Sequence, residues 1–161
     1  PITVKISPDI ENQNINIISD LLLKHSVEAV IISNTTDKNR ENLSNINKLE
    51  KGGLSGKPLE KRSNELINKF YKILKNKIKI IGVGGVDSGH SAYQKIINGA
   101  SLVQIYTGMI YQGPSIATKI SQELINILEK EGIKNISDVV GSKNWSWLVT
   151  LEHLYNHKFY V

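Results

Sequence analysis

The sequence contains no cysteine, which excludes disulfides, thiolate zinc sites and cysteine nucleophiles. Long hydrophobic runs are missing too. Apolar stretches such as Ala29 to Ile32 and Ala100 to Val103 fall far short of the roughly 20 residues needed to span a bilayer. There is also no tight basic block. The net charge of +5 comes from lysines dispersed over helix faces and loops, with no aromatic-interleaved stripe, so nucleic acid is not an expected partner. The chain opens with the strand-like PITVKI rather than a charged-then-apolar leader, and its first residue is not Met. Both features lead us to expect a piece of a longer polypeptide.

What is present is ordinary for a globular domain: 161 residues, 40% hydrophobic and 22% charged, enough to bury a sizeable core. Apolar strands and amphipathic helices alternate along the chain. Strands are expected at Ile2 to Ile6, Ala29 to Ser33, Lys79 to Val83 and Leu102 to Tyr106. Between them, Asn14 to His25 carries Ile17, Ile18, Leu21 and Leu22 at helical spacing. A second helix opens at Pro58 with the stripe Leu66, Ile67, Phe70, Ile73 and Leu74. A third runs from Ser88 to Asn98, and a last one starts at Gly113-Pro114 and reaches about Lys130. Residues 37–57 have no sustained period and form a long loop, a length usually associated with function or disorder.

Near-continuous apolar strands alternating with helices imply a parallel sheet covered on both faces. The expected fold class is therefore α/β, a (β/α) TIM-type barrel of which residues 1–141 form half, about four βα units. Residues 142–161 hold both tryptophans and depart in character, so they are set apart as an atypical C-terminal extension. His153 and His157 share the spacing of a helical metal pair, but no third ligand is evident and metal binding is not expected. Half a barrel leaves two unpaired sheet edges that an upstream half or a dimer partner must cover, and aggregation is expected of the chain alone.

Barrel enzymes keep their sites at the C-terminal ends of the strands. Here those ends supply Lys5, then Ser33, Asn34 and Thr35, then Gly84 and Gly85, then Tyr106 and Thr107, with Gly52-Gly53-Leu54-Ser55-Gly56 from the long loop. A lysine directed into a barrel needs an anion; the bland alternative is a side chain snorkelling at the strand end. Asn34 and Thr35 offer donors and acceptors suited to a small planar substrate, or simply a turn cap. GVGG followed by QIYT at the next strand end matches a phosphate cradle, as many barrels have.

Taken together, VKISPD, ISNTT, GGLSGKPL, IIGVGGVDSG and GASLVQIYTG resemble dihydroorotate dehydrogenase, in its quinone-dependent, membrane-associated class. The resemblance runs from Pro1 to about Gly141 and implies that residues 1–141 are the C-terminal half of the barrel. It implies an FMN-containing barrel that oxidises dihydroorotate to orotate in pyrimidine (UMP) synthesis, with ubiquinone reoxidising the flavin. It assigns flavin contact to Lys5, Ser33, Gly56, Gly85, Tyr106 and Thr107, and substrate contact to Asn34 and Thr35. The family's catalytic base, a serine in this class, lies upstream of the matched region, and neither Ser7, Ser33 nor Ser55 is given that role. The quinone- and membrane-facing helices lie upstream as well. The implied location is the cytoplasmic side of the inner membrane for the full enzyme, and the cytoplasm for this chain alone. Two other readings stay open at this level: a non-catalytic or degenerate half barrel that at most binds FMN or phosphate, and another phosphate-binding barrel enzyme such as an isomerase or aldolase.

Overall fold

A computed structural model describes residues 1–38, 40–41 and 43–144. Its strands form one parallel sheet in the order β1 (Thr3–Ile6), β2 (Ala29–Ile32), β3 (Lys79–Gly82) and β4 (Leu102–Val103). The helices are α1 (Asn14–Lys24), α2 (Glu60–Leu74), α3 (Gly89–Asn98), α4 (Thr107–Gln112) and α5 (Ile116–Lys130). Sequential parallel strands joined through helices are the repeat of a (β/α) barrel, and the α/β class expected from the sequence is the one observed.

Register sorts the side chains by face. Lys5 pairs with Ile31, Ile31 with Ile81 and Ile81 with Leu102, so these four share one row. Their neighbours Ile6, Val30, Ile32 and Ile80 point the other way and are buried beneath the helices. The stripe read on α2 does the covering: Leu66, Ile67, Phe70 and Leu74 are fully buried and Ile73 packs at their margin. A second cluster joins Val86, Ala92, Ile116 and Ile120, and seats α5 against α3. Ser88 fixes the start of α3: its Oγ accepts from the Ser91 amide at 3.2 Å while Ser91 Oγ accepts from the Ser88 amide at 3.0 Å.

Several expectations change. In α1 the buried face is Ile15, Ser19 and Leu22, whereas Ile17 and Leu21 are exposed, because α1 lies at the edge of the layer and turns only its inner face to α2 and the sheet core. Strand β4 stops at Val103 rather than Tyr106. Gln104 still donates to Gly82 O at 2.8 Å, after which the chain turns into α4, a helix with no counterpart in the sequence reading. Pro58 sits in a 3₁₀ turn, Lys57–Leu59, that leads into α2. The long loop folds back through an antiparallel bridge between Thr36 and Leu54 and a 3₁₀ turn, Ile46–Leu49. Ser142–Asn144 forms a further turn against α3. The rest of the C-terminal extension, with His153 and His157, lies outside the described residues.

Candidate functional site

At the C-terminal edge of the sheet a cavity of about 450 Å³ opens. Its wall includes Lys5, Ser33, Asn34, Thr35, Gly56, Gly85, Tyr106 and Thr107, which is every site residue expected from the sequence. Gly84, Ser55, Lys57, Asp87 and Gln104 complete much of the remainder.

The β2 end is held from both sides. Ser33 is buried; its amide donates to Val83 O at 3.1 Å and its hydroxyl to Asn34 O at 3.2 Å. The Asn34 amide donates to Ile6 O at 2.8 Å, which ties this segment to β1. Thr36 and Leu54 then exchange backbone hydrogen bonds of 3.1 and 2.7 Å, laying the GGLSG loop beside Thr35. The approach is tight enough that a Cβ on Gly53 would fall 1.9 Å from Thr35 Oγ1. That gives Gly53 a steric role the sequence showed only as a Gly-rich stretch.

The opposite wall is made by the β3 and β4 ends. Gly84 and Gly85 adopt φ of 109° and 75°, and a Cβ on Gly85 would lie 2.5 Å from Glu60 Cβ and 2.9 Å from its Cα. Only glycine permits this turn to sit on the start of α2. Ser63 fastens it: its buried hydroxyl reaches Val83 O at 2.7 Å and Ile32 O at 3.3 Å, a contact with no sequence signal beyond its place on the α2 inner face. Thr107 Oγ1 donates to Ser55 Oγ at 2.9 Å and joins this wall to the GGLSG loop.

Charge in the cavity is distributed unevenly. Lys57 Nζ lies 2.7 Å from Glu60 Oε2 and 3.3 Å from Asp87 Oδ2. The hydrogen bond to Glu60 raises the Lys57 pKa against the opposing effect of burial. Burial pushes the Asp87 carboxyl up, but hydrogen bonds from Ser91 and Lys57 and the Lys57 charge outweigh it, so its pKa is lowered. Lys57 is thus committed to two carboxylates. Lys5 projects from the other side of the cavity and makes no ion pair among the described residues. It is exposed on the uncovered row of the sheet rather than enclosed, because among the described residues no second layer lies over the face it shares with Ile31, Ile81 and Leu102.

The donor set suits an anionic, hydrogen-bonding ligand: an ammonium on one side, Gly84 and Gly85 in a positive-φ turn and the Thr107 hydroxyl on the other, and an amide and a hydroxyl from Asn34 and Thr35 between them. A parallel sheet with its cavity at the carboxyl ends of the strands defines the class: an α/β protein of the barrel type with a strand-end ligand site. Residues 1–128 match the family model described as dihydroorotate dehydrogenase. The chain is 46% identical over 154 residues to the dihydroorotate dehydrogenase (quinone) of Trichodesmium erythraeum, covering 89% of this chain and 40% of that protein. It is 42% identical over 143 residues to the mitochondrial dihydroorotate dehydrogenase (quinone) of Arabidopsis thaliana, covering 88% of this chain and 31% of the relative. The crystal structure of the ligand-free DHODH of Eimeria tenella superposes with a TM-score of 0.86 at 39% identity, over 89% of this chain and 40% of that one. The chain belongs to the dihydroorotate dehydrogenase family, and it spans 31–40% of the length of these relatives.

Proposed function

We propose that this chain is the cofactor- and substrate-binding half of a quinone-dependent dihydroorotate dehydrogenase, oxidising dihydroorotate to orotate with FMN as part of a longer enzyme. The observation that carries the reading is convergence. Residues drawn from the end of every strand, each assigned a flavin or substrate contact by resemblance, line a single cavity.

In this reading Gly84 and Gly85 with Tyr106 and Thr107 hold the cofactor phosphate, and Ser33 and Gly56 contact the flavin. Bound FMN supplies acceptance of the C6 hydride and onward transfer of electrons to ubiquinone. Lys5 holds a positive charge beside the ring, where negative charge develops on reduction. Asn34 and Thr35 orient the substrate through amide and hydroxyl groups. The proton at C5 is taken by a base from the part of the family's length that this chain does not span. Membrane and quinone contact belong to that part as well; among the described residues no helix is long and apolar enough to cross a membrane.

Fluorescence titration of FMN with the purified chain, repeated with Lys5→Ala, tests the reading. Saturable quenching that weakens about tenfold in the variant supports a flavin site with Lys5 at the ring, equivalent to roughly 1.4 kcal/mol of binding free energy. Absence of FMN binding by a folded chain overturns the view that this half holds the flavin site by itself, and leaves any activity to the chain joined with its upstream half. Binding of a sugar phosphate in place of FMN points instead to another phosphate-dependent barrel enzyme.

A further inference from the structure

The segment after β1, Ser7 to Asn12, has no part in the cavity wall, yet it is built with unusual care. From α2, the Arg62 guanidinium donates through Nε to Pro8 O at 3.0 Å and through Nη2 to Ile10 O at 2.8 Å. These two carbonyls flank Asp9. The Asp9 amide donates to Ser7 Oγ at 3.2 Å, so both sides of this residue are fixed.

The Asp9 carboxylate faces the chain leaving Asn34 and Thr35. Its Oδ1 accepts from Thr36 Oγ1 at 2.5 Å and its Oδ2 from the Asp37 amide at 3.1 Å. Thr36 is buried, and its Oγ1 also accepts from the Lys38 amide at 3.0 Å, which fixes the hydroxyl proton on the Asp9 side. The same Thr36 forms the backbone bridge to Leu54 that brings Gly53 against Thr35. Asn34 and Thr35 therefore hang between two anchors, both from the end of β1: Ile6 O takes the Asn34 amide and Asp9 takes Thr36 and Asp37. A carboxylate accepting a hydroxyl and an amide is among the stronger arrangements available to a loop.

We infer that Asp9 is a positioning residue: its carboxylate latches Thr36 and Asp37 so that Asn34 and Thr35 keep their aim into the cavity and the GGLSG loop stays closed against them. The inference rests on the assignment of Asn34 and Thr35 to substrate made above. Arg62 acts one step further back, by holding the turn that carries Asp9.

The test uses the full chain with Asp9→Ala, Asp9→Asn and Thr36→Val, read by amide hydrogen exchange and by titration with orotate and with FMN. Asp9→Ala and Thr36→Val are expected to speed exchange at the Thr36 and Leu54 amides at least tenfold, with the Val30 and Ile80 amides unchanged. Orotate affinity falls about tenfold in both while FMN affinity stays within twofold, and Asp9→Asn, which keeps one acceptor oxygen, lies between them. Exchange at Thr36 and Leu54 equal to wild type in both variants overturns the latch. So does equal weakening of both ligands, which marks a merely structural role. Should Asp9→Ala fail to fold, Thr36→Val carries the same comparison with only one hydroxyl replaced. Failure of the wild-type chain to bind orotate overturns the substrate assignment instead, and the exchange pattern then decides for or against the latch by itself.

Discussion

The two faces of the sheet are made from alternate residues of the same short strands, and they behave differently. On the helix side Val30, Ile32 and Ile80 are at most 1% exposed, locked under Leu66, Ile67, Phe70 and Leu74. On the other side Lys5, Ile31, Ile81 and Leu102 form a row in which Leu102 is 61% exposed. Period-two alternation lets one strand serve two purposes. The helix face contributes most of the buried apolar surface, and so most of the stability. The other face leads up to the cavity and spends a position on a lysine that does nothing for packing. Substitutions on the first face should therefore register as stability, and substitutions at the site end as binding.

The largest expected effect is at Phe70, fully buried at the centre of the helix-side core. Phe70→Ala removes a ring from a packed interior and should cost about 4 kcal/mol, a large share of the roughly 5–15 kcal/mol that holds a domain folded. Urea denaturation followed by circular dichroism checks it. A loss below about 1 kcal/mol would mean that the two faces are not divided in this way.

Lys95 breaks the pattern from within, since it lies fully buried on the helix side. Burial lowers its pKa from 10.5 to about 8, opposed by the charge of Glu60, and Nζ keeps one hydrogen bond, to Asn64 Oδ1 at 2.7 Å. Its folded pKa lies below its unfolded one, so between pH 8 and 10.5 the unfolded chain binds more protons and stability rises with pH. Below pH 8 the cost of burying the charge is felt in full, on the order of 3 kcal/mol. Lys95→Met should stabilise the chain at neutral pH and remove that part of the rise between pH 8 and 10.5. Denaturation of both proteins at pH 7 and pH 10 gives the answer, and parallel pH profiles would refute it.

The helix face was the legible one. The Leu66 to Leu74 stripe and the apolar strands state their burial through spacing alone, and the α/β class follows. At the sheet margin the same logic failed. Ile17 and Leu21 have helical spacing but face outward, because spacing records which residues share a face and not whether a neighbour covers it. Strand β4 was read too long for a related reason: Ile105 and Tyr106 continue the apolar run past Gln104, but among the described residues β4 pairs on one side only and the chain turns away into α4. The cavity residues could be named because Gly-rich and Asn-Thr motifs recur at strand ends. Ser63, Asp9 and the Lys57–Asp87 pair could not, since each acts across a long sequence separation that only the folded chain closes.

Gly85 lies where the faces meet, so its replacement should disturb both readouts. With φ at 75° and Glu60 Cα 2.9 Å from an added Cβ, Gly85→Ala must strain the turn or push α2 away. We expect a stability loss of about 2 kcal/mol, together with loss of FMN binding that Lys5→Ala causes with little change in stability. Thermal unfolding beside FMN titration separates the two variants. Equal effects of Gly85→Ala and Lys5→Ala on both measurements would erase the distinction between a cradle made of backbone and one made of charge.

The smallest effect belongs to Leu102, on the uncovered row at the sheet edge. An apolar side chain left mostly in solvent has little transfer free energy to lose, and threonine, being β-branched, favours a strand. Leu102→Thr should shift the unfolding free energy by less than about 0.5 kcal/mol. It should nevertheless reduce self-association, because an exposed apolar edge strand is a template for pairing with another chain. Light scattering at increasing protein concentration, alongside urea denaturation, reads both. Unchanged stability with lower scattering is the signature of a face that contributes little to folding yet is prone to association. A stability loss approaching that of Phe70→Ala would instead show that the open row is packed in solution, and that another surface covers it.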